Sequence, residues 1–328
     1  MQIFWNIILL IVGFVGLILG ANYFVDGASA VAKKLKVPTI IIGLTVVAIG
    51  TSMPELAVSI SSAVSGSADL SLGNVVGSNL SNMLLILGII AIISPVAIQK
   101  STKKFDLPFM MFVTGLLLFF CADSILFNKS NVISRIEAII LFVLFVGYMA
   151  VQIIFAKKNV FKDVEINTAP DKPEKQLKIW QILLFLIGGL AAVVLGGECV
   201  SRTSKFLAMA AGMSEALVGV TIVAIGTSLP ELVTSIVAAK KGQTDLAVGN
   251  VVGSNIMNIV LIIGVCGTIT PIAVSSVMLA NALILAVASL WFTFVCYTDN
   301  KISRLEGIML VAMYVGYMTY AIIRNYIV

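Results

Sequence analysis

Apolar runs of twenty residues or more follow one another along almost the whole chain, near residues 3–31, 37–64, 70–98, 107–127, 133–156, 179–207, 213–239, 246–273, 276–297 and 305–327. A helix of about 20 residues crosses the hydrocarbon core of a bilayer, roughly 30 Å thick. Inside that core no water satisfies the backbone, so each run must bond its own N–H and C=O groups as an α-helix. Composition agrees, with 59% hydrophobic and only 11% charged residues, where a soluble domain carries about a quarter. The expectation is an all-α integral membrane protein with ten transmembrane helices.

The net charge of +5 suggests a nucleic-acid or acidic partner only until its placement is read. Lys33, Lys34 and Lys36, then Lys100, Lys103 and Lys104, six lysines between 157 and 178, Lys240 and Lys241, and Lys301 with Arg304 occupy alternate loops. The intervening loops and the C-terminus hold Lys129, Arg135, Arg202, Lys205 and Arg324. This positive-inside bias puts both termini outside the cell and the 157–178 connection in the cytoplasm. The partner of such a chain is the lipid bilayer of the plasma membrane; no nucleic acid and no protein partner is implied. The first apolar run lacks a basic leader and is too long for a cleaved signal peptide, so it is expected to remain as a helix.

The chain has no histidine, which removes histidine metal sites, Ser-His dyads and histidine proton relays. Its four cysteines, Cys121, Cys199, Cys266 and Cys296, have no CxxC spacing and read as small apolar packing residues. No cofactor is implied.

Residues 37–98 align without a gap on residues 213–274, at a constant offset of 176. "AIGTSMPEL" at 48–56 returns as "AIGTSLPEL" at 224–232, and "GNVVGSN" occurs at 73–79 and again at 249–255. The matches include Gly50/Gly226, Pro54/Pro230, Glu55/Glu231, Asp69/Asp245, Asn74/Asn250 and Ser78/Ser254, which apolar bias cannot produce. Each copy carries five runs, an odd number, so the second must enter the membrane inverted. The expected organisation is a first five-helix repeat over 1–156, a cytoplasmic linker over 157–178 and a second five-helix repeat over 179–328. Inverted repeats with interrupted helices in matching positions mark secondary transporters, whose site lies at the repeat interface near the midplane.

On a helix, Thr51 and Glu55 are i,i+4 and Ser52 and Glu55 are i,i+3, so three oxygen-bearing side chains share a face. Pro54 has no N–H for the carbonyl of Gly50, and the resulting kink opens carbonyls nearby. Thr227, Ser228, Pro230 and Glu231 repeat the arrangement. The next run of each copy adds a stripe at i, i+4, i+8: Asn74, Ser78 and Asn82, then Asn250, Ser254 and Asn258. Gly73, Gly77, Gly249 and Gly253 leave room for a neighbouring helix beside those stripes. No basic residue within these runs is placed to neutralise the glutamates, and a carboxylate at mid-membrane costs at least about 2.5–3.5 kcal/mol on insertion scales. A cation should therefore occupy the seam. Hard oxygens without thiolate or imidazole suit Na⁺, K⁺ or Ca²⁺, and two carboxylates balance one Ca²⁺, which tolerates six to eight irregular oxygens. For any single hydroxyl, packing and ligation fit the sequence equally. Asp69 and Asp245 each precede a run and read as helix N-caps.

"GTSMPEL" and "GTSLPEL", each followed by "GNVVGSN", resemble the two repeats of the sodium/calcium exchanger family within the cation/calcium exchanger superfamily. The resemblance extends over the whole ten-helix layout, and the lack of a large cytoplasmic domain matches a prokaryotic-type member. It implies Ca²⁺ and Na⁺ as transported ions. It also implies ligands at Thr51, Ser52, Glu55, Ser78 and Asn82, and at Thr227, Ser228, Glu231, Ser254 and Asn258, with backbone carbonyls at Ala48 and Ala224. Some relatives, including the potassium-dependent branch, carry aspartate where Asn258 stands, so this chain is expected to work without K⁺. The "GNxxE" style of motif usual in the proton/calcium exchangers is absent.

Antiport follows from charge. Two bare carboxylates are too costly in a closed dry site, so the empty carrier should not switch, whereas loading with Ca²⁺ or several Na⁺ permits it. The alternative within transporters is a proton/calcium, or other divalent cation, exchanger using the same glutamates. An ion channel also lines a pore with carboxylates, but a doubled site in one chain suits alternating access better. An intramembrane protease would need a base for Ser52 or Ser228, and none is present. In the resembling family the first and sixth helices slide over the rest. Gly13, Gly16 and Gly20, with Gly188, Gly189, Gly196 and Gly197, would smooth those helices or simply pack them.

Overall fold

Proline and glycine punctuate this chain, and the helix ends follow them. The computed structural model describes residues 2–126, 130–158, 177–213, 226–298 and 301–327. Helix α1 (Gln2–Leu35) stops where Lys36 takes φ 55° ahead of Pro38. Next come α2 (Thr39–Thr51) and α3 (Met53–Val64), which meet at a 45° bend, and α4 (Asp69–Ile93). They are followed by α5 (Thr102–Cys121), α6 (Arg135–Lys158) and α7 (Ile179–Ala210). The last four are α8 (Leu229–Lys240), α9 (Thr244–Ile269), α10 (Ser276–Thr298) and α11 (Arg304–Ile327). Among the described residues eight helices are long and apolar enough to cross a membrane, nine if α2 and α3 form one span. The molecule is an all-helical membrane protein. The expected run 213–239 is described only from residue 226, and most of the 157–178 connection lies outside the described residues.

Several expected boundaries move for local reasons. The runs at 70–98 and 246–273 end early, at Ile93 and Ile269, because Ser94 and Thr270 are extended (φ −146° and −139°) before Pro95 and Pro271. The run at 107–127 begins at Thr102. Pro108 has no N–H for the carbonyl of Lys104, and the helix widens there into a π-helical turn over Thr102–Asp106.

Short strands tie the helix ends together. β1 (Val96–Ala97) pairs antiparallel with β4 (Lys301–Ile302), and β2 (Val132–Ile133) with β3 (Ile272–Ala273). The helices that follow β2 and β4 open with matching capping boxes. Glu137 accepts from the Ser134 amide and hydroxyl at 2.7 and 2.8 Å, and Glu306 accepts from Ser303 at the same distances. Asp69 and Asp245 do not cap as expected. Each lies inside the first turn without a side-chain cap bond, and Asp245 accepts from Gln99 at 2.5 Å instead.

Helix α9 is the centre of the molecule, with 94% of its apolar window buried against 17% for α1 and 22% for α7. Its approach to α2 is limited by backbone and the Ala48 methyl. A Cβ added at Gly253 would lie 2.7 Å from Ala48 Cβ, and one at Gly249 would lie 2.6 Å from the Ile40 carbonyl oxygen. Of the two uses open to the glycines of α1 and α7, close packing is the one that several of them show. A Cβ at Gly20 would meet Ala192 Cβ at 2.7 Å, and one at Gly196 would meet the Leu17 amide at 2.7 Å. Gly13, Gly20, Gly189 and Gly196 press α1 and α7 against each other, whereas Gly197 meets Pro230 and Gly16 and Gly188 meet no neighbouring helix. All four cysteines are free.

Candidate functional site

The bent pair α2–α3 breaks at Ser52 (φ −84°, ψ 5°), two residues ahead of Pro54, and Ser228 repeats the conformation (φ −85°, ψ 6°) ahead of α8. A proline is tolerated in the first turn of a helix, so Pro54 and Pro230 open α3 and α8 rather than kinking one continuous helix. The break puts Glu55 and Glu231 in the first turn of their helices, at the positive end of the helix dipole. Both are fully enclosed, at 1% exposure each. Among the described residues neither has a salt-bridge partner.

One half of the centre is joined by hydrogen bonds that link the two motifs. Ser52 Oγ donates to Glu231 Oε1 at 3.0 Å, and Ser52 Oγ and Ser254 Oγ are 3.1 Å apart. With the single Ser52 proton committed to a carboxylate, Ser254 is the donor across the second contact. Thr51 Oγ1 lies 3.0 Å from Asn250 Oδ1 and 3.1 Å from the Val47 carbonyl. The other half is unbonded. Both Glu55 oxygens, Ser78 Oγ, both amide atoms of Asn82, Ser228 Oγ, Glu231 Oε2 and Asn258 Oδ1 are buried without a hydrogen-bond partner among the described residues. Buried polar groups are normally paired, and leaving one unpaired costs about 1–3 kcal/mol. Unpaired buried oxygens gathered around two carboxylates are the donor set that a hard cation needs.

Of the expected ligands, Ala48, Thr51, Ser52, Glu55, Ser78, Asn82, Ser228, Glu231, Ser254 and Asn258 are all buried, and Thr227 is half-buried. Ala224 lies outside the described residues. The Ala48 carbonyl accepts the Ser52 amide at 3.1 Å, so the break has not released it from the helix. Asn74 and Asn250 act as braces. Asn74 Nδ2 donates to Ser59 Oγ at 3.0 Å and Asn250 Nδ2 to Ser235 Oγ at 2.9 Å, holding α4 to α3 and α9 to α8.

Sequence reasoning missed Ser59, Ser235, Asn79 and Asn255, although all four recur at the same offset of 176 and that recurrence was the available signal. It also missed the π-helical turns at Ser81–Ile86 and Asn258–Ile263, which widen α4 and α9 where Asn82 and Asn258 sit. A third buried carboxylate, Asp106, is of another kind. Tyr148 and Gln152 donate to its Oδ1 at 3.0 and 2.7 Å, so it pins α5 to α6.

A cleft of about 460 Å³ runs between α3 and α7, from Ser61 and Glu198 down to Thr227, Pro54 and Pro230. Arg202 lies at its rim, ion-paired with Glu198. Elsewhere α1 is tied to the end of α8, where Lys241 Nζ reaches Asp26 Oδ1 at 2.7 Å and the Asn22 carbonyl at 2.9 Å.

Fold and site together define a polytopic all-helical membrane protein with a buried, doubly acidic oxygen centre. The sequence profile of the family described as sodium/calcium exchanger protein matches residues 5–154 and 181–323. The chain belongs to the sodium/calcium exchanger family, a family of transporters. It is 33% identical to the sodium/calcium exchanger MaX1 of Methanosarcina acetivorans, over 95% of this chain and 97% of that one. Its identity to the inner membrane protein YrbG of Escherichia coli is 35%, over 80% and 79% of the two chains. Its fold matches a solved structure of the sodium-calcium exchanger NCX_Mj soaked with Na⁺ and Ca²⁺ at TM-score 0.80 and 31% identity, covering 96% of this chain and 98% of that one.

Proposed function

We propose that this protein exchanges sodium for calcium across the plasma membrane by alternating access, with both ions held in turn by the oxygens of Thr51, Ser52, Glu55, Ser78, Asn82, Thr227, Ser228, Glu231, Ser254 and Asn258. The carbonyls of Ala48 and Ala224 complete the cage. The observation that carries the reading is the set of unpartnered oxygens around Glu55 and Glu231, with no cationic side chain among the described residues to neutralise them. Two formal negative charges match one Ca²⁺ or a small number of Na⁺. Both ions use the same hard oxygens, so they cross in alternate half-cycles, and the empty site is too highly charged to close. The same charge count leaves no place for K⁺.

The chain is arranged as ten helices in two inverted five-helix repeats, 1–156 and 179–328, joined by a cytoplasmic linker at 157–178, with both termini outside. The crossed pairing supports this, since β1 and β3, like β2 and β4, occupy matching places in the two halves and each pairs with the opposite half. In that orientation the α3–α7 cleft opens outward, and the Lys241–Asp26 pair closes the inner side between α1 and α8. Access to Glu55 and Glu231 from one side at a time is the condition for exchange rather than channel flow.

The test is Ca²⁺ uptake by proteoliposomes with Na⁺, K⁺ or H⁺ gradients imposed singly. An outward Na⁺ gradient alone should drive uptake. Uptake driven by a proton gradient, and indifferent to Na⁺, would overturn the sodium assignment.

A further inference from the structure

Asn79 follows Ser78 in the first copy of GNVVGSN, is 1% exposed, and bonds to α9 rather than to its own helix α4. Its Nδ2 donates to the Asn255 carbonyl at 3.1 Å, and its Oδ1 accepts from Asn258 Nδ2 at 3.0 Å. The order of atoms is forced. A backbone carbonyl can only accept, so the amino group of Asn79 faces Asn255. The oxygen of the same amide then faces Asn258, which must turn its own amino group toward Asn79. Asn258 Oδ1 is left buried, with no hydrogen-bond partner.

The equivalent place in the first copy has no such clamp. Among the described residues both amide atoms of Asn82 lack a partner, and the side chain of Asn255, which stands where Asn79 does, makes only a 3.9 Å contact from Nδ2 to Met110 Sδ. Orientation matters because the nitrogen and oxygen of an amide have nearly the same size. In a cage shared with the unpaired oxygens of Glu55 and the free Oε2 of Glu231, an unclamped Asn258 would turn its amino group toward them. A cation would then meet N–H donors where it needs a lone pair.

We infer that Asn79 is a positioning residue for cation binding, one that fixes the Asn258 amide with its oxygen toward the cage and so makes a neutral side chain at 258 a ligand. The inference rests on the reading above in which Asn258 belongs to the cage.

A double-mutant cycle tests it. Ca²⁺ affinity is measured by calorimetry on purified protein in K⁺-free choline buffer, for N79L made in the wild type and in N258D. A carboxylate has two equal oxygens and needs no orientation. N79L should weaken binding about tenfold in the wild type, the worth of one misdirected hydrogen-bonding group, and less than about twofold on top of N258D. Equal losses in both backgrounds, or none in the wild type, overturn the inference, because a merely structural residue would act alike in both. If size-exclusion chromatography shows that N79L does not fold, N79A runs the same cycle without adding apolar bulk. E55Q is measured alongside. If it binds Ca²⁺ as the wild type does, the cation cage itself is wrong. If E55Q loses binding while the cycle is additive, only the role of Asn79 falls.

Discussion

Replacing Gly253 by alanine adds one methyl group at a tight crossing beside the site. The new Cβ would stand 2.7 Å from Ala48 Cβ and 2.8 Å from both the Cα and the carbonyl oxygen of Leu44. Comfortable contact between carbon atoms needs about 3.5–4.0 Å, so α2 and α9 must separate by about 1 Å. Nothing at the contact is a flexible side-chain end that could rotate aside, and overpacking of this kind costs about 1–3 kcal/mol. The same movement reaches the site, because Ser254 is the next residue and its hydroxyl meets Ser52 at 3.1 Å. Lengthened by about 1 Å, that contact is no longer a hydrogen bond. G253A should therefore lower both thermal stability and Ca²⁺ affinity, the latter by roughly 2- to 13-fold for one lost hydrogen bond. G147A in α6 is the control, since a Cβ there meets nothing within 4 Å. Fluorescence-monitored unfolding and calorimetric Ca²⁺ titration of both variants in one detergent make the comparison. A G253A protein as stable and as tight-binding as the wild type would refute the reasoning, as would an equal loss in G147A.

Three other outcomes follow from the charge of the centre. E55Q and E231Q should each weaken Ca²⁺ binding by about two to four orders of magnitude, the equivalent of about 3–5 kcal/mol for one uncompensated buried charge; wild-type transport by either folded variant sinks the ligand assignment. Protons should compete with Ca²⁺ for the same carboxylates, so uptake falls as the medium is acidified. Binding that stays flat from neutrality down to about 4.3, the pKa of a free glutamate side chain, contradicts this. The wild type should transport Ca²⁺ equally with external K⁺ or choline, and N258D should gain partial K⁺ dependence from its third carboxylate; strong K⁺ activation of the wild type removes the potassium-independent assignment.

The sequence by itself determined the class of the molecule and singled out the candidate residues at its centre. Apolar runs of this length could only become helices in lipid, because hydrocarbon leaves a backbone no other way to satisfy its polar groups. Glu55 and Glu231 declared themselves in the same manner, since an unpaired charge in an apolar run is too costly to keep without a use. These are local arguments, complete within a few residues and a solvent. What required tertiary structure was everything set by residues far apart in the chain. The sequence placed the glycines of α1 and α7 on those helices, but only their packing showed that they face one another. It also placed a kink at Pro54. The break fell at Ser52, where the backbone could both admit the proline and send a hydroxyl across to Glu231. Asn79 and Asn255 are identical residues in identical heptapeptides, and no local rule separates them. One clamps Asn258 and the other meets a methionine sulfur, because the same motif is packed against different neighbours in the two halves.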